Sequence, residues 1–150
     1  MLVKKIPLII SKETYSKIED GEYLAHLIKS NKYETVHEAI IEWWHKCKLK
    51  EKKYQSMKCI VNMNKQRAIK TLTDLIVKDK QDINDIVMVL NKSLHHRFWK
   101  DNLLSIGKLR KLSSNGVTKY ENIYLICVKD AEEIEERAPR KPFINTLKVL

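Results

Sequence analysis

Apolar residues in this chain recur at intervals of three and four, and capping residues stand just ahead of several of those runs. Val36, Ala39, Ile40, Trp43, Trp44 and Cys47 make one broad stripe. Ala68, Ile69, Leu72, Leu75 and Ile76 make a second, and Ile83, Ile86, Val87 and Leu90 a third. This spacing places one side of a 3.6-residue helix against a core. Thr35 with Glu38, and Thr118 with Glu121, have the spacing of a capping box, in which each side chain satisfies a backbone N–H of the other's turn. Asp82 is an N-cap of the simpler kind. The chain has only three glycines and three prolines, and sheet proteins need many more for their turns. The pattern predicts a mainly α protein: a small helical bundle in two halves, with one short N-terminal β-strand at Val3–Ile10. Pro7 lacks an N–H and restricts that strand to a sheet edge.

The punctuation divides the chain further. Ser11 caps a helix reaching about Lys29, weakened and bent at Gly21. Residues 1–50 then form a strand-helix-helix unit, and residues 51–64 a basic connector. Residues 65–130 form a second helical module. Within it, helices at Lys65–Lys78 and from Asp82 toward Leu94 precede an irregular aromatic segment, Phe98–Leu104. Ser105 caps a short helix through Leu112. Ser113-Ser114-Asn115-Gly116 is a turn, because Asn-Gly tolerates positive φ, and a last helix runs from Thr118 through Val128. Residues 131–150 read as an acidic, proline-containing tail, since Pro139 and Pro142 bias their predecessors away from helix.

The formal net charge is +10. It says nothing about fold and predicts attraction to phosphate backbones or anionic surfaces; the bland alternative is lysine-rich codon usage. No apolar run approaches the roughly 20 residues of a membrane span, and Met1–Ser11 is too short for a signal peptide. Cys47, Cys59 and Cys127 are an odd, scattered set, which points to a reducing compartment such as the cytoplasm. His45, Cys47 and Cys59 fit no zinc template, so no metal site is expected. There is no phosphate-cradling glycine loop and no Gly-x-Ser-x-Gly elbow. His95-His96 adjoins Arg97 rather than a carboxylate or nucleophile. The expectation is a protein that is not an enzyme and carries no cofactor.

The candidate nucleic-acid contacts fall in two groups. Lys46, Lys48, Lys50, Lys52 and Lys53 form the first. Arg97, Lys100, Lys108, Arg110, Lys111 and Lys119 form the second, around Phe98 and Trp99. Cations neutralise phosphates and release counterions. Trp99 offers a ring for a base, the alternative being that both rings plug the core. Ser105, at a helix start, adds N–H groups for a phosphate oxygen. Trp43 and Trp44 point about 100° apart on a helix, so one meets the core and the other a second domain or a partner.

Two family resemblances follow from these residues. Phe98, Trp99, Asn102, Leu104, Ser105, Lys108, Leu109 and Arg110, followed by Lys119-Tyr120-Glu121-Asn122-Ile123, resemble the C-terminal module of phage and mobile-element replication proteins, the DnaD-like replisome organisers and helicase loaders. The likeness covers about residues 65–125. It implies DNA binding, single- or double-stranded, and contact with a replicative helicase or initiator. Residues 3–45, with the strand, the first helix and Tyr33-Glu34-Thr35-Val36-His37-Glu38-Ala39-Ile40, are similar to ribbon-helix-helix regulators. That resemblance implies a homodimer in which Lys5, Pro7 and Ile9 would read bases, a departure from that family's usual polar or charged readers. A protein-interaction module or inhibitor without DNA binding is the third reading.

Overall fold

The computed structural model describes residues 9–30 and 35–137, with side chains as far as Ile134. The mainly α class holds. The described residues hold nine α-helices and one 3-10 turn, and their only extended pairing is an isolated bridge between Leu112 and Thr118. Of the expected strand at Val3–Ile10 only Ile9 and Ile10 are described, and neither is in a strand; the rest of it lies outside the described residues.

The predicted first helix is two. α1 (Lys12–Lys17) and α2 (Gly21–Lys29) are separated by extended Ile18 and by Asp20, which sits in the left-handed region at φ 51°. The break frees the backbone of Glu19 for tertiary use. Its N–H donates to the Asn91 side chain at 2.9 Å and its carbonyl accepts the Trp43 indole N–H at 2.6 Å. Gly21 is required because the chain crosses itself here: a Cβ would lie 1.9 Å from the Tyr15 carbonyl oxygen.

α3 (Val36–Lys48) starts at Thr35, whose hydroxyl accepts from the Glu38 N–H at 3.3 Å. It packs against α2, α6 (Lys65–Val77) and α7 (Ile83–His95), and so Ala39, Ile40, Trp43 and Trp44 are all fully buried. Of the two alternatives for the second tryptophan, a second domain or a partner, burial leaves the first: Trp44 reaches Ser93 in the module at residues 65–130. With neighbours on several sides of α3, rings 100° apart both find protein, and each indole N–H has a partner. The Trp44 N–H donates to Ser93 Oγ at 3.1 Å, and that hydroxyl donates to the Leu90 carbonyl at 2.6 Å. Neither ring is open to a partner molecule.

The basic stretch forms two single-turn helices, α4 (Lys52–Gln55) and α5 (Lys58–Val61). Buried residues before and after it, from Ile10 to Ile123, belong to one apolar cluster. Asn64 caps α6 by accepting from the Arg67 N–H at 3.0 Å, and Asp82 caps α7 by accepting from the Asn84 N–H at 2.8 Å. α8 (Trp99–Asn102) is a single turn within the segment read as irregular.

The helix expected from Ser105 to Leu112 is only a 3-10 turn, Ile106–Lys108. α9 is longer than predicted, running from Lys119 to Arg137. The acidic residues 132–136 therefore continue a helix: glutamate, alanine and arginine are good helix formers, and no breaker comes before Pro139. Among the described residues no helix is long and apolar enough to cross a membrane.

Candidate nucleic-acid interface

The C-terminal cations gather for a backbone reason. The first two N–H groups of α9 would have no partner within the helix. Instead Lys119 donates to the Lys111 carbonyl and Tyr120 to the Leu109 carbonyl, both at 2.9 Å. Between them the Ser113–Gly116 turn closes through Ser113 N–H to Val117 O at 2.8 Å, with Gly116 at φ 80°. Lys119 therefore begins where Lys108–Lys111 ends. The Thr118 hydroxyl holds this junction by accepting from the Glu121 N–H at 3.1 Å.

Arg67 joins from α6. Its methylene stem lies where a Cβ on Gly107 would be, 2.8 Å away, so the missing side chain lets α6 close on the 3-10 turn. The consequence is electrostatic. The Lys108 ammonium is pushed below its ordinary pKa, first by Lys111, then by desolvation, and then by Arg67 and Lys119. Among the described residues none of these four cations pairs with a carboxylate. Like charges held together without counter-ions disfavour their own protonation, and an anion placed among them reverses that.

Several of the other candidates are engaged within the protein. Arg110 grips Asp79 through two nitrogens, at 2.9 and 3.1 Å, and reaches Asp74 at 3.3 Å. Lys50 bridges Glu19 at 2.8 Å and Asp20 at 2.5 Å, and those bonds raise its pKa. It thereby occupies the carboxylate side of the Glu19, Asp20 and Cys47 group, whose thiol is pushed up to about 12 by burial and by the two acids. Lys53 pairs with Asp101 at 3.0 Å, and Lys100 lies 3.8 Å from Glu51. Lys46 stands 3.9 Å from the Tyr23 ring centre. Lys52 and Arg97 are exposed and have no ion-pair partner among the described residues.

Three further placements correct the sequence reading. Lys48 is 2% exposed; its ammonium donates to the Lys100 carbonyl and sits 4.4 Å from the Tyr54 ring and 5.6 Å from that of Trp44. It cannot meet a phosphate from there. Ser105 Oγ accepts from the Gly107 N–H at 3.3 Å, and a three-residue 3-10 turn has no helix dipole to offer an anion. Trp99 is 6% exposed, so it cannot present a face to a base. Phe98 is the open ring, 53% exposed, with its centre 4.9 Å from that of Trp99 and their planes at 87°. An edge-to-face pair of this kind is favourable; here it holds the exposed ring on a buried one.

Phe98 and Trp99 line an open groove of about 820 Å³, together with His96, Asn102, residues 113–115 and the side of α9 carrying Lys119, Asn122, Leu125 and Lys129. The Lys119 ammonium lies 5.7 Å from the Trp99 ring centre. One lysine thus belongs both to the unpaired cation group and to the groove. Sequence reasoning did not single out Arg67, because only the packing of α6 on the 3-10 turn brings it here. It also chose Trp99 over Phe98, and adjacent aromatics carry no signal as to which is sealed. The chain matches no family model, no curated protein and no solved structure.

Proposed function

We propose that this chain is a non-enzymatic nucleic-acid-binding protein that holds phosphate with Arg67, Lys108, Lys111 and Lys119. The observation that carries this reading is the junction that sets Lys119 against Lys111 and packs the Arg67 stem on Gly107, with no carboxylate paired to any of the four cations among the described residues. A bound polyanion relieves the repulsion among them, whereas the ion-paired lysines elsewhere gain little from one. The finer reading rests on the resemblance of residues 65–125: a DNA-binding accessory factor of phage or mobile-element replication that recruits a replicative helicase or initiator. The ribbon-helix-helix reading depends on residues 3–10, most of which lie outside the described residues.

The test is a salt-titrated binding measurement with single- and double-stranded oligonucleotides. Engagement of all four cations on duplex phosphates gives a log–log slope of about −4, at about −0.9 per phosphate. No binding to either form at low salt overturns the proposal and leaves the protein-interaction reading. A solution mass above the monomer, with operator-like sequence preference, would favour the ribbon-helix-helix reading instead.

A further inference from the structure

We propose that the groove between α8, the Ser113–Gly116 turn and α9 receives an unpaired base of single-stranded nucleic acid, stacked on Phe98. The inference rests on the reading above that the adjoining cations hold a phosphate backbone, and it adds what the groove itself recognises.

The first argument is the ring. Phe98 is a large apolar side chain left half open to water, yet fixed in place by Trp99 beneath it. A fixed, exposed ring meets a base with little ordering cost, and stacking is available for any base because each has a π-face. In a duplex those faces are covered by neighbouring base pairs, so only a single strand can use the ring.

The second argument is spacing. Lys119 lines the groove beside Trp99 and also contributes to the cation group around Lys108. A phosphate on that lysine and a base on Phe98 therefore belong to the same stretch of strand. The charged side chains that line the groove, Lys119, Lys129 and Glu132, leave it net positive.

The third argument is the polar lining. Ser113, on the groove wall, has a hydroxyl oxygen shielded from solvent and without a hydrogen-bond partner. Asn102 donates to the Phe98 carbonyl at 2.7 Å through its amide nitrogen, which leaves its amide oxygen to accept. Asn115 and Asn122 bond to each other at 3.0 Å and hold the wall in shape. A hydroxyl and an amide oxygen beside an apolar ring suit the mixed edge of a nucleobase.

The experiment is fluorescence anisotropy of the full chain with a labelled oligothymidylate and with an abasic strand of equal length, which keeps the charge and removes the bases. The abasic strand is expected to bind about tenfold more weakly, within the range one stacked base supplies. Phe98→Ala should bring the thymidylate down to the abasic affinity and leave the abasic affinity unchanged. Phe98→Leu keeps an apolar side chain without a π-face and should behave the same, which separates loss of stacking from loss of fold. Equal affinity for both strands overturns the base subsite while the phosphate-binding reading stands. Binding of neither strand removes both. A phenylalanine-bearing acidic peptide whose affinity falls with Phe98→Ala, while that of thymidylate does not, would give the groove to a protein partner and overturn the proposal.

Discussion

Replacing Lys48 with methionine should make this protein more stable at neutral pH, although it deletes a lysine from a basic protein. The Lys48 ammonium is lowered from 10.5 to about 8, chiefly by burial, with Asp101 and Glu51 opposing the drop. At about 1.4 kcal/mol per tenfold change in acidity, carrying that charge in the folded state costs about 3 kcal/mol. Methionine keeps a long unbranched chain between Trp44 and Tyr54 and removes the charge. Against this, the Lys100 carbonyl loses its donor, at about 1–2 kcal/mol. The expected net gain for Lys48→Met at pH 7 is about 1–2 kcal/mol.

The sign with pH follows from linkage. The folded-state pKa lies below the unfolded one, so between pH 8 and 10.5 the unfolded chain binds more protons and wild-type stability rises with pH. Below about pH 8 both states are protonated and the cost is fully present. The advantage of Lys48→Met should therefore be largest at pH 7, shrink above pH 8 and reverse by pH 10.5. Urea unfolding of both proteins, followed by circular dichroism across that range, measures the difference directly, and titration of other groups largely cancels. A difference that stays flat from pH 7 to 10.5 refutes the reasoning. It would mean that the two rings and the Lys100 carbonyl replace the ammonium's hydration in full. Oligonucleotide affinity should not change in this variant.

Other substitutions separate the cation classes and the backbone devices. Lys108→Ala with Lys111→Ala should reduce the salt slope of oligonucleotide binding by about 2, whereas Lys50→Ala, removing an ion-paired lysine, should leave the slope unchanged in the same titration. Because repulsion lowers Lys108 and a bound phosphate raises it, affinity should weaken as rising pH takes the proton from Lys108; Lys108→Ala should lose that phase in a pH-resolved binding series. Thr118→Ala removes the cap that fixes Lys119, which should cost about 1 kcal/mol in urea unfolding and also weaken oligonucleotide binding. Gly21→Ala drives a methyl into the Tyr15 carbonyl and should cost about 3 kcal/mol or more. Gly116→Ala, with open space around it but φ at 80°, should cost only about 1–2 kcal/mol by the same assay.

The capped helix starts were legible because they are local. Thr35, Asp82 and Thr118 each need only the next few residues to act as caps, and all three do so. The stripe at Val36–Cys47 likewise reported burial correctly, since period alone decides which side of a helix is apolar. What failed depended on residues far away in sequence. The break at Ile18–Asp20 is stabilised by Asn91 and Trp43, and nothing in residues 12–29 names those partners. Ile41, outside the stripe, is buried as well because α3 has neighbours on several sides, which its own pattern cannot specify. The same limit governed the site. Sequence shows where lysines are dense, but whether a lysine is available depends on the carboxylate or ring that folding places beside it.

That distinction changes what the net charge of +10 means. The densest basic run, residues 46–58, is the poorer candidate for holding phosphate for its length: Lys48 is sealed and Lys50 and Lys53 are neutralised, which leaves Lys46, Lys52 and Lys58 without a carboxylate among the described residues. The sparser set drawn from α6, the 3-10 turn and the start of α9 is better, because its members repel one another without an internal counter-ion. Polyanion binding exchanges small counterions for phosphates, and only cations not already paired within the protein have counterions to release. A lysine bonded to two acids must first break those bonds, which offsets most of what a phosphate returns. Affinity should therefore follow the cluster of Arg67, Lys108, Lys111 and Lys119 and not the local count of lysines, so that charge-neutralising the whole 46–53 run would cost less binding than neutralising Lys108 and Lys111 alone.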